Sequence, residues 1–180
     1  MIFWDLCRED IHLDYSNVIL KVKRLIPDIG IGADVIVGYP GETEKEFMET
    51  YNFILNLPIS YLHVFTYSER PDTKALNILE IVDPTERKKR NKMLRILSDK
   101  KKNDFYYQMI GKSIDVLFES KDDDGTIKGF SSNYVRVSNL FNKDLENQIC
   151  TLAVKEIKNG LVYGEVKEIK NSVELEISSV

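Results

Sequence analysis

The sequence has few of the residues that build covalent or metal-based frameworks. It contains two cysteines, Cys7 and Cys150, and two histidines, His12 and His63, spread widely over 180 residues. Two distant cysteines make no disulfide framework, and neither residue type has the spacing of a metal-ligand cluster. We therefore predict two unreactive thiols and no metal site in this chain.

Long apolar segments are lacking as well. No run approaches the roughly 20 apolar residues of a membrane-spanning helix, and no basic segment followed by an apolar one opens the chain as in a secretion signal. The composition, 43% hydrophobic and 30% charged, is that of a globular protein. These features predict a cytoplasmic protein with no membrane partner.

Charge is distributed unevenly along the chain. Residues 1–83 carry 7 basic and 14 acidic side chains, residues 84–110 carry 9 and 3, and residues 111–180 carry 9 and 12. The net charge of −4 therefore conceals one basic segment. Such a segment is either a surface for an anionic partner or the solvated face of a helix, and composition alone favours the second.

The first half of the chain alternates between helical and strand patterns. Apolar residues at helical spacing predict a helix from Tyr15 to Pro27 and another from Thr43 to Leu57. The β-branched run Val35-Ile-Val37 predicts a strand buried on both faces, and the aromatic run from Ile59 to Tyr67 predicts a second strand. This order predicts an α/β unit, with residues 1–14 unassigned.

Two loops follow these two strands. Gly38-Tyr-Pro-Gly-Glu42 ends the first strand, and Thr43 with Glu46 has the spacing of a capping box. A strand–helix–strand crossover makes the strands parallel, so we expect the 38–42 and 68–73 loops to lie side by side. A glycine loop before a helix N-terminus suits an anionic ligand, although the same turn also occurs without a ligand.

A long basic helix and a change of period follow. The helix is predicted from residue 84 to residue 110, with Asp83 as N-cap, Pro84 at its first position and Glu86 completing a capping box. After Gly111 the apolar period changes from helical to alternating. That change predicts a domain boundary.

The last segment has the pattern of a small β-barrel. Asn159-Gly160 is the dipeptide that a two-residue type I′ hairpin needs. Five short strands in about 70 residues suit an antiparallel barrel that closes its own edges, and such barrels often bind nucleic acid. The predicted strands are residues 113–120, 126–130, 134–138, 149–157 and 161–169.

Two motifs carry a resemblance to a known family. Gly32-Ala-Asp-Val-Ile-Val-Gly-Tyr-Pro-Gly-Glu-Thr43 and Tyr61-Leu-His-Val-Phe-Thr-Tyr-Ser-Glu-Arg-Pro-Asp-Thr73 resemble the radical-SAM tRNA methylthiotransferases. More narrowly, they resemble the branch that acts on threonylcarbamoyladenosine next to the anticodon. The resemblance implies an α/β fold over residues 15–110, part of a TIM-type radical-SAM barrel, followed over residues 111–180 by a TRAM or OB-like all-β barrel.

The reaction of this family, as the resemblance implies it, adds a methylthio group to an adenine of tRNA. A [4Fe–4S] cluster on a Cys-x-x-x-Cys-x-x-Cys motif cleaves S-adenosylmethionine to a radical, and a second cluster helps to deliver sulfur. Neither cluster motif is present in this sequence. The resemblance therefore implies the C-terminal portion of an enzyme, inactive without its N-terminal half, with the tRNA anticodon arm as partner and no catalytic residue of its own.

The resemblance also implies which residues bind the cofactor. Ile36 would form an apolar wall, Phe65 and Tyr67 would face the adenine, and core packing is the alternative for all three. Arg70 would grip a carboxylate or phosphate, or else brace its loop by a salt bridge. His63 is interpreted as structural. The full cofactor set is Ile36, Gly38, Pro40, Glu42, Phe65, Tyr67 and Arg70.

The predicted tRNA contacts lie on the barrel and on the basic helix. A base can stack on tyrosine and a phosphate can pair with Lys or Arg, although an ordinary polar surface has the same composition. A non-catalytic RNA-binding module is thus the second hypothesis, and a hydrolase ranks last because no Gly-x-Ser-x-Gly motif is present. The predicted contact residues are Lys128, Tyr134, Arg136, Arg87, Lys88 and Arg90.

Overall fold

A computed structural model describes residues 9–170, with side chains from residue 13 onward; Cys7 and the side chain of His12 lie outside that range. The described residues form two compact units, which divide between Asp104 and Phe105. The elements are α1 (Glu9–Leu25), β1 (Gly32–Val37), α2 (Glu44–Asn56), β2 (Tyr61–Thr66), α3 (Pro84–Tyr107), β3 (Ser113–Lys121), β4 (Thr126–Ser131), β5 (Arg136–Leu140), β6 (Ile149–Lys158) and β7 (Leu161–Lys170). No helix in the described range is long and apolar enough to cross a membrane.

The sheet of the first unit has two parallel strands. β1 and β2 pair in register from Gly32 opposite Tyr61 to Val37 opposite Thr66, as the crossover predicted. The N–H of Tyr67 donates to the carbonyl of Val37 at 2.8 Å, which brings the two strand ends together. The loops that follow β1 and β2 therefore start side by side.

Only one face of this sheet is covered. Val35, Val37 and Leu62 are buried on that face. Their cluster includes buried side chains of all three helices, namely Ile19, Phe47, Ile54, Leu94 and Leu97. The opposite face, with Ile36 and Phe65, is exposed. The prediction that β1 is buried on both faces is wrong for the described residues, because no described element covers the second face.

Side chains of helix α3 form hydrogen bonds with backbone groups on the outer edge of β2. The hydroxyl of Ser98 accepts the Leu62 N–H at 2.8 Å and donates to the Leu62 carbonyl at 3.1 Å. Farther along, the amide of Asn91 donates to the carbonyl of Val64 at 3.4 Å. Polar side chains of a helix thus take the place that a third strand would hold, and an edge covered in this way is protected from pairing with another chain.

The ends of α2 and α3 show how far local signals specify the helices. Thr43 and Glu46 form the predicted capping box, with both reciprocal hydrogen bonds present. Asp83 accepts the N–H of Thr85 at 2.7 Å, as expected of an N-cap residue. Glu86 instead pairs with Lys89 at 3.2 Å and with Arg90 at 3.5 Å. α3 ends at Tyr107 rather than at residue 110.

The second unit is a closed five-stranded barrel in the order β3-β4-β5-β7-β6. All five predicted strands are present, although the third lies at Arg136–Leu140 rather than 134–138. One seam differs from the antiparallel prediction, because β5 and β7 pair in parallel at Val137 and Val162. Asn159 and Gly160 have φ of 53° and 72°, which confirms the type I′ hairpin between β6 and β7. Phe105 and Tyr106 from the end of α3 belong to the barrel core. The compact units therefore divide at residue 104, before the change of period at Gly111.

Candidate functional site

The loop after β1, residues 38–42, is held by bonds to other protein groups. Gly38 and Gly41 have φ of 77° and 86°, the left-handed region that glycine adopts without strain. The N–H of Gly38 donates to Glu42 Oε2 at 2.7 Å, and the N–H of Gly41 donates to the carbonyl of Glu80 at 2.6 Å. Pro40 between them is buried. The polar groups that this loop was expected to offer a ligand are thus largely engaged.

Arg90 of α3 holds this first loop through several hydrogen bonds. Its Nη1 donates to Glu42 Oε2 at 2.7 Å and to the Glu42 carbonyl at 2.9 Å, and its Nη2 donates to Glu44 at 3.3 Å. The guanidinium lies 5.2 Å from the centroid of the Phe47 ring. Because Arg90 is only 4% exposed, these are charge-assisted contacts shielded from water. The Glu42 carboxylate joins the Gly38 amide to Arg90.

Arg87, one turn earlier on α3, braces the second loop. Its Nη1 donates to the Tyr67 carbonyl at 3.2 Å, its Nη2 to Glu69 at 2.8 Å and its Nε to the Val82 carbonyl at 2.9 Å. The hydrogen bond from Arg87 lowers the pKa of Glu69. The stem of Arg87 also lies against Gly38, where an added Cβ would collide with Arg87 Cγ.

These contacts change the interpretation of two predicted cofactor residues. The space beside Gly38 is filled by Arg87, so the close approach that a glycine permits is used by this side chain. The ring of Tyr67 packs edge-on against Tyr39 at 5.3 Å and lies 5.4 Å from the Arg87 guanidinium. The Tyr67 hydroxyl is buried with no hydrogen-bond partner among the described residues. Tyr67 therefore packs into the loop support, and its contact with adenine stays a prediction.

Ile36 and Phe65 are open to solvent. They face each other in register on β1 and β2 and are 45% and 53% exposed. The alternative of core packing is wrong for both in the described chain. Together they form an apolar pair beside the strand ends, of the kind that lines a small-molecule site.

Arg70 is exposed in the second loop. Its carbonyl accepts the hydroxyl of Thr73 at 2.9 Å, while no described residue forms an ion pair with its guanidinium. The loop-bracing salt bridge considered for Arg70 is made by Arg87 and Glu69 instead. The guanidinium of Arg70 is thus available to an anion.

Asp34 and His63 were not expected at the site. They pair across the strands in register and are both exposed, on the same face as Ile36 and Phe65. The Tyr61 ring stands edge-on to His63 at 5.2 Å. A spacing of two residues along each strand places these side chains on the face of Ile36 and Phe65. That spacing is the signal by which the sequence could have revealed them.

The predicted phosphate contacts of α3 divide into two groups. Arg87 and Arg90 are buried and engaged with the loops, which contradicts the prediction that they bind RNA phosphates. Lys101 is likewise engaged within the protein, because it donates to the carbonyls of Leu55 at 3.0 Å and Leu57 at 2.7 Å. Burial lowers the pKa of Lys101. The exposed basic residues of α3 are Lys88, Lys89, Lys92, Arg95 and Lys100, and of these Lys89 pairs with Glu86.

The barrel carries a small aromatic patch. Tyr134 is 65% exposed and lies in the turn between β4 and β5, with φ of 66°, rather than on a strand as predicted. Its ring is 5.8 Å from that of Phe130, an exposed residue that sequence reasoning missed. The guanidinium of Arg136 lies 4.3 Å from the Phe130 centroid and pairs with Glu119 at 2.8 Å. We call Phe130, Tyr134 and Arg136 the aromatic patch.

Lys128 pairs with two carboxylates, whereas Arg136 of the aromatic patch pairs with one. Its Nζ lies 2.6 Å from Asp122 and 3.5 Å from Asp124, and the hydrogen bond to Asp122 raises its pKa. Both neighbours compete with a phosphate for this ammonium group. Of the three barrel residues predicted to contact RNA, Tyr134 and Arg136 are the better placed.

The described residues do not suit an iron–sulfur cluster. No group of three or more His, Cys, Asp or Glu side chains in residues 13–170 is placed to hold a metal ion. Cys150 is buried in the barrel, and burial raises the pKa of its thiol. A thiolate ligand at that position is therefore disfavoured.

Known proteins with similar sequences include two tRNA methylthio enzymes and a ribosomal protein methylthiotransferase. No family model matches the chain. It is 34% identical, over 78% of its length, to threonylcarbamoyladenosine tRNA methylthiotransferase MtaB of Bacillus subtilis (strain 168). It is 34% identical over 70% of its length to tRNA-2-methylthio-N(6)-dimethylallyladenosine synthase of Alcanivorax borkumensis. It is 36% identical over 58% of its length to ribosomal protein uS12 methylthiotransferase RimO of Alkaliphilus oremlandii.

The chain spans only part of these relatives. The matched regions are 32%, 29% and 24% of the three proteins. The names of all three describe methylthio chemistry, whereas the molecules they name as substrates differ.

Proposed function

We propose that this chain, which belongs to the methylthiotransferase family, is the C-terminal part of an enzyme. That enzyme adds a methylthio group to N6-threonylcarbamoyladenosine beside the anticodon of tRNA. The proposal rests on the two braced strand-end loops beside an exposed apolar pair and an unpaired arginine. The relative from Bacillus subtilis, which carries this substrate in its name, supports the choice of adenosine.

The exposed side chains suit S-adenosylmethionine. Ile36 and Phe65 offer an apolar surface on which an adenine can lie, and the guanidinium of Arg70 can form two parallel hydrogen bonds to the methionine carboxylate. Two parallel strands with helices on one face and an open second face support the proposal that this unit is part of a TIM-type barrel. In such barrels ligands bind where the strands end.

S-adenosylmethionine, when bound, supplies the methyl group and, with an iron–sulfur cluster, the radical. The described residues do not suit a cluster, so we assign no step of that chemistry to this chain. Its own contribution is to hold the cofactor by Ile36, Phe65 and Arg70 and to bind tRNA. We expect the chain to be inactive without the N-terminal portion of the enzyme.

The barrel would be a TRAM-type module that binds tRNA. In the aromatic patch, Phe130 and Tyr134 offer rings for an unpaired base, and Arg136 already shows the stacking that a guanidinium can make. On α3, Lys88, Lys92 and Arg95 offer charges to the phosphate backbone. Each phosphate neutralised makes binding more sensitive to salt.

The decisive test of the reaction is made in the organism. Deletion of the gene, followed by mass spectrometry of tRNA nucleosides, should leave N6-threonylcarbamoyladenosine without its methylthio group. Return of the gene should restore the modification. Loss of the methylthio group from a dimethylallyladenosine or from a ribosomal protein would assign another substrate, and an unchanged set of modifications would overturn the proposal.

The cofactor site can be tested on the chain itself. Calorimetry with S-adenosylhomocysteine should show binding that Arg70→Met weakens about tenfold, as expected for the loss of one charged hydrogen-bonding group. Arg95→Met, which removes an exposed arginine of α3, is the matched control. Equal affinity of the Arg70→Met variant and the unaltered chain would remove Arg70 from the site.

A non-catalytic RNA-binding module is the second candidate, and the aromatic patch favours it. An anticodon stem-loop should bind the chain with an affinity that falls steeply as salt rises. Phe130→Ala together with Tyr134→Ala should weaken binding, whereas Leu140→Ala, which removes a still more exposed apolar side chain on β5, should not. RNA binding that survives while gene deletion leaves tRNA modification unchanged would select this candidate.

A further inference from the structure

We infer that Arg87 and Arg90 are positioning residues, each of which holds one strand-end loop so that Ile36, Phe65 and Arg70 remain presented to S-adenosylmethionine. The identity of the ligand rests on the proposed function, while the positioning rests on the geometry of the loops. Both arginines are buried and direct their hydrogen bonds to the loops and adjoining backbone, so both would act through the loops that they hold.

The two arginines divide the loops between them. They are three residues apart on α3 and therefore lie on one face of the helix. Arg90 holds the first loop through the carbonyl and carboxylate of Glu42, and Glu42 in turn accepts the N–H of Gly38. Arg87 holds the second loop through the carbonyl of Tyr67 and the carboxylate of Glu69. One helix thus sets the geometry of both loops.

Arg87 also couples the loops to each other. Its stem occupies the space beside Gly38 in the first loop, while its guanidinium bonds to the second loop. The Tyr67 N–H that follows β2 donates to the Val37 carbonyl that ends β1. A shift of either loop therefore has to move the same arginine side chain.

Stability alone does not explain arginine at these two positions. Burial of a guanidinium carries a desolvation cost, and well-packed apolar residues of similar volume often replace a buried ion pair without loss of stability. What an apolar residue cannot do is bond to several fixed acceptors at once. Arg90 bonds to two oxygens of Glu42 and to Glu44, and Arg87 bonds to three acceptors, which uses the planar fork of the guanidinium. The two arginines therefore contribute chiefly to the placement of the loops.

Amide exchange measured by NMR on the whole chain tests this placement. Arg90→Met should raise the exchange rate of the Gly38 amide by about tenfold or more while leaving Val35 and Leu62 protected. Arg87→Met should act in the same way on the Tyr67 amide. Glu42→Gln should reproduce the Arg90→Met effect and shift the Gly38 amide resonance, because it removes the charge from the acceptor of that N–H. Arg95→Met, on the exposed side of the same helix, should change none of these amides.

Affinity for S-adenosylhomocysteine separates positioning from structural support. Arg90→Met and Arg87→Met should each weaken binding about tenfold, since displaced loops present Ile36, Phe65 and Arg70 less well. Arg90→Lys, which keeps the charge without the fork, should recover only part of the affinity.

Each outcome of these measurements decides a different question. Equal acceleration of exchange throughout β1 and β2 would reduce the arginines to structural support and overturn the inference. Local acceleration with unchanged affinity would overturn it as well, since the loops would then move without consequence for the ligand. If the unaltered chain does not bind S-adenosylhomocysteine, the proposed cofactor site fails, and the placement of the loops is judged by the exchange rates alone.

Discussion

The two units stabilise their β-structure in different ways. The barrel closes on itself, so its strands pair with one another around the full circle, and its interior is a continuous cluster of buried side chains from Phe105 to Val162. The first unit has a two-stranded sheet with one covered face, and helix α3 supplies polar side chains to the strand edge and to both loops. Closure satisfies backbone groups through the ladder itself, whereas an open sheet depends on individual side chains.

The first test of this difference removes a core side chain of the barrel. Phe118 is fully buried on β3, and Phe118→Ala should lower the free energy of unfolding by about 3–5 kcal/mol through lost burial and a residual cavity. Its neighbour Leu117 points outward and is exposed, so Leu117→Ala should cost less than about 1 kcal/mol. Chemical denaturation measures both. Loss of amide protection should stay within residues 105–170, and equal loss in β1 and β2 would show that the units do not unfold separately.

The second test compares two glycines with positive φ. Gly38→Ala should cost more than the roughly 1–2 kcal/mol of a left-handed alanine, because its Cβ would also collide with Arg87. Gly111 has φ of 80° and open space around it, so Gly111→Ala should show the conformational cost alone. Thermal unfolding of the two variants gives the difference. Equal destabilisation would mean that Arg87 moves aside without loss.

The third test concerns the edge of β2. Ser98→Ala removes the partner of both backbone groups of Leu62 and should cost about 1–3 kcal/mol, because these groups would be buried without hydrogen bonds. Ser132→Ala removes an exposed hydroxyl of the second unit and should be close to neutral. Denaturation midpoints and light scattering check both variants. A neutral Ser98→Ala would show that the β2 edge does not depend on α3.

The smallest expected effect is a dependence on pH in both units. The hydrogen bonds from the backbone and side chain of Thr43 lower the pKa of Glu46, and the hydrogen bonds from Lys170 and Thr151 lower the pKa of Asp115. A carboxyl whose pKa is lower in the folded state adds stability above its unfolded pKa and loses it as pH falls through the folded value. Stability should therefore decline as pH falls below about 4.

Two variants separate these contributions. Glu46→Gln should flatten the acid decline of the first unit, and Asp115→Asn should flatten that of the barrel. Because the Asp115–Lys170 pair is at the surface, added salt should weaken its contribution. Unfolding followed by unit-specific amide signals from pH 3 to pH 7 measures both. An acid decline that neither variant alters would assign it to other carboxyls.

Much of the local structure could be predicted from the sequence. The capping box at Thr43, the turn at Asn159-Gly160 and the five barrel strands depend on residues close together in the chain, so their patterns carry the information. The parallel pairing of β1 and β2 followed from the length of the crossover. The parallel seam between β5 and β7 did not, because it depends on where a closed barrel brings its last strands together.

The candidate site shows what only the tertiary structure decides. The sequence placed Arg87, Lys88 and Arg90 together as basic residues of one helix. Successive residues of a helix point about 100° apart, so Arg87 and Arg90 face the loops while Lys88 faces solvent. Basic residues lie all around α3 and give no indication of which side packs. Only the position of the two loops and of their carboxylates selects the arginines that become buried. The same arrangement leaves the guanidinium of Arg70 without an ion-pair partner among the described residues.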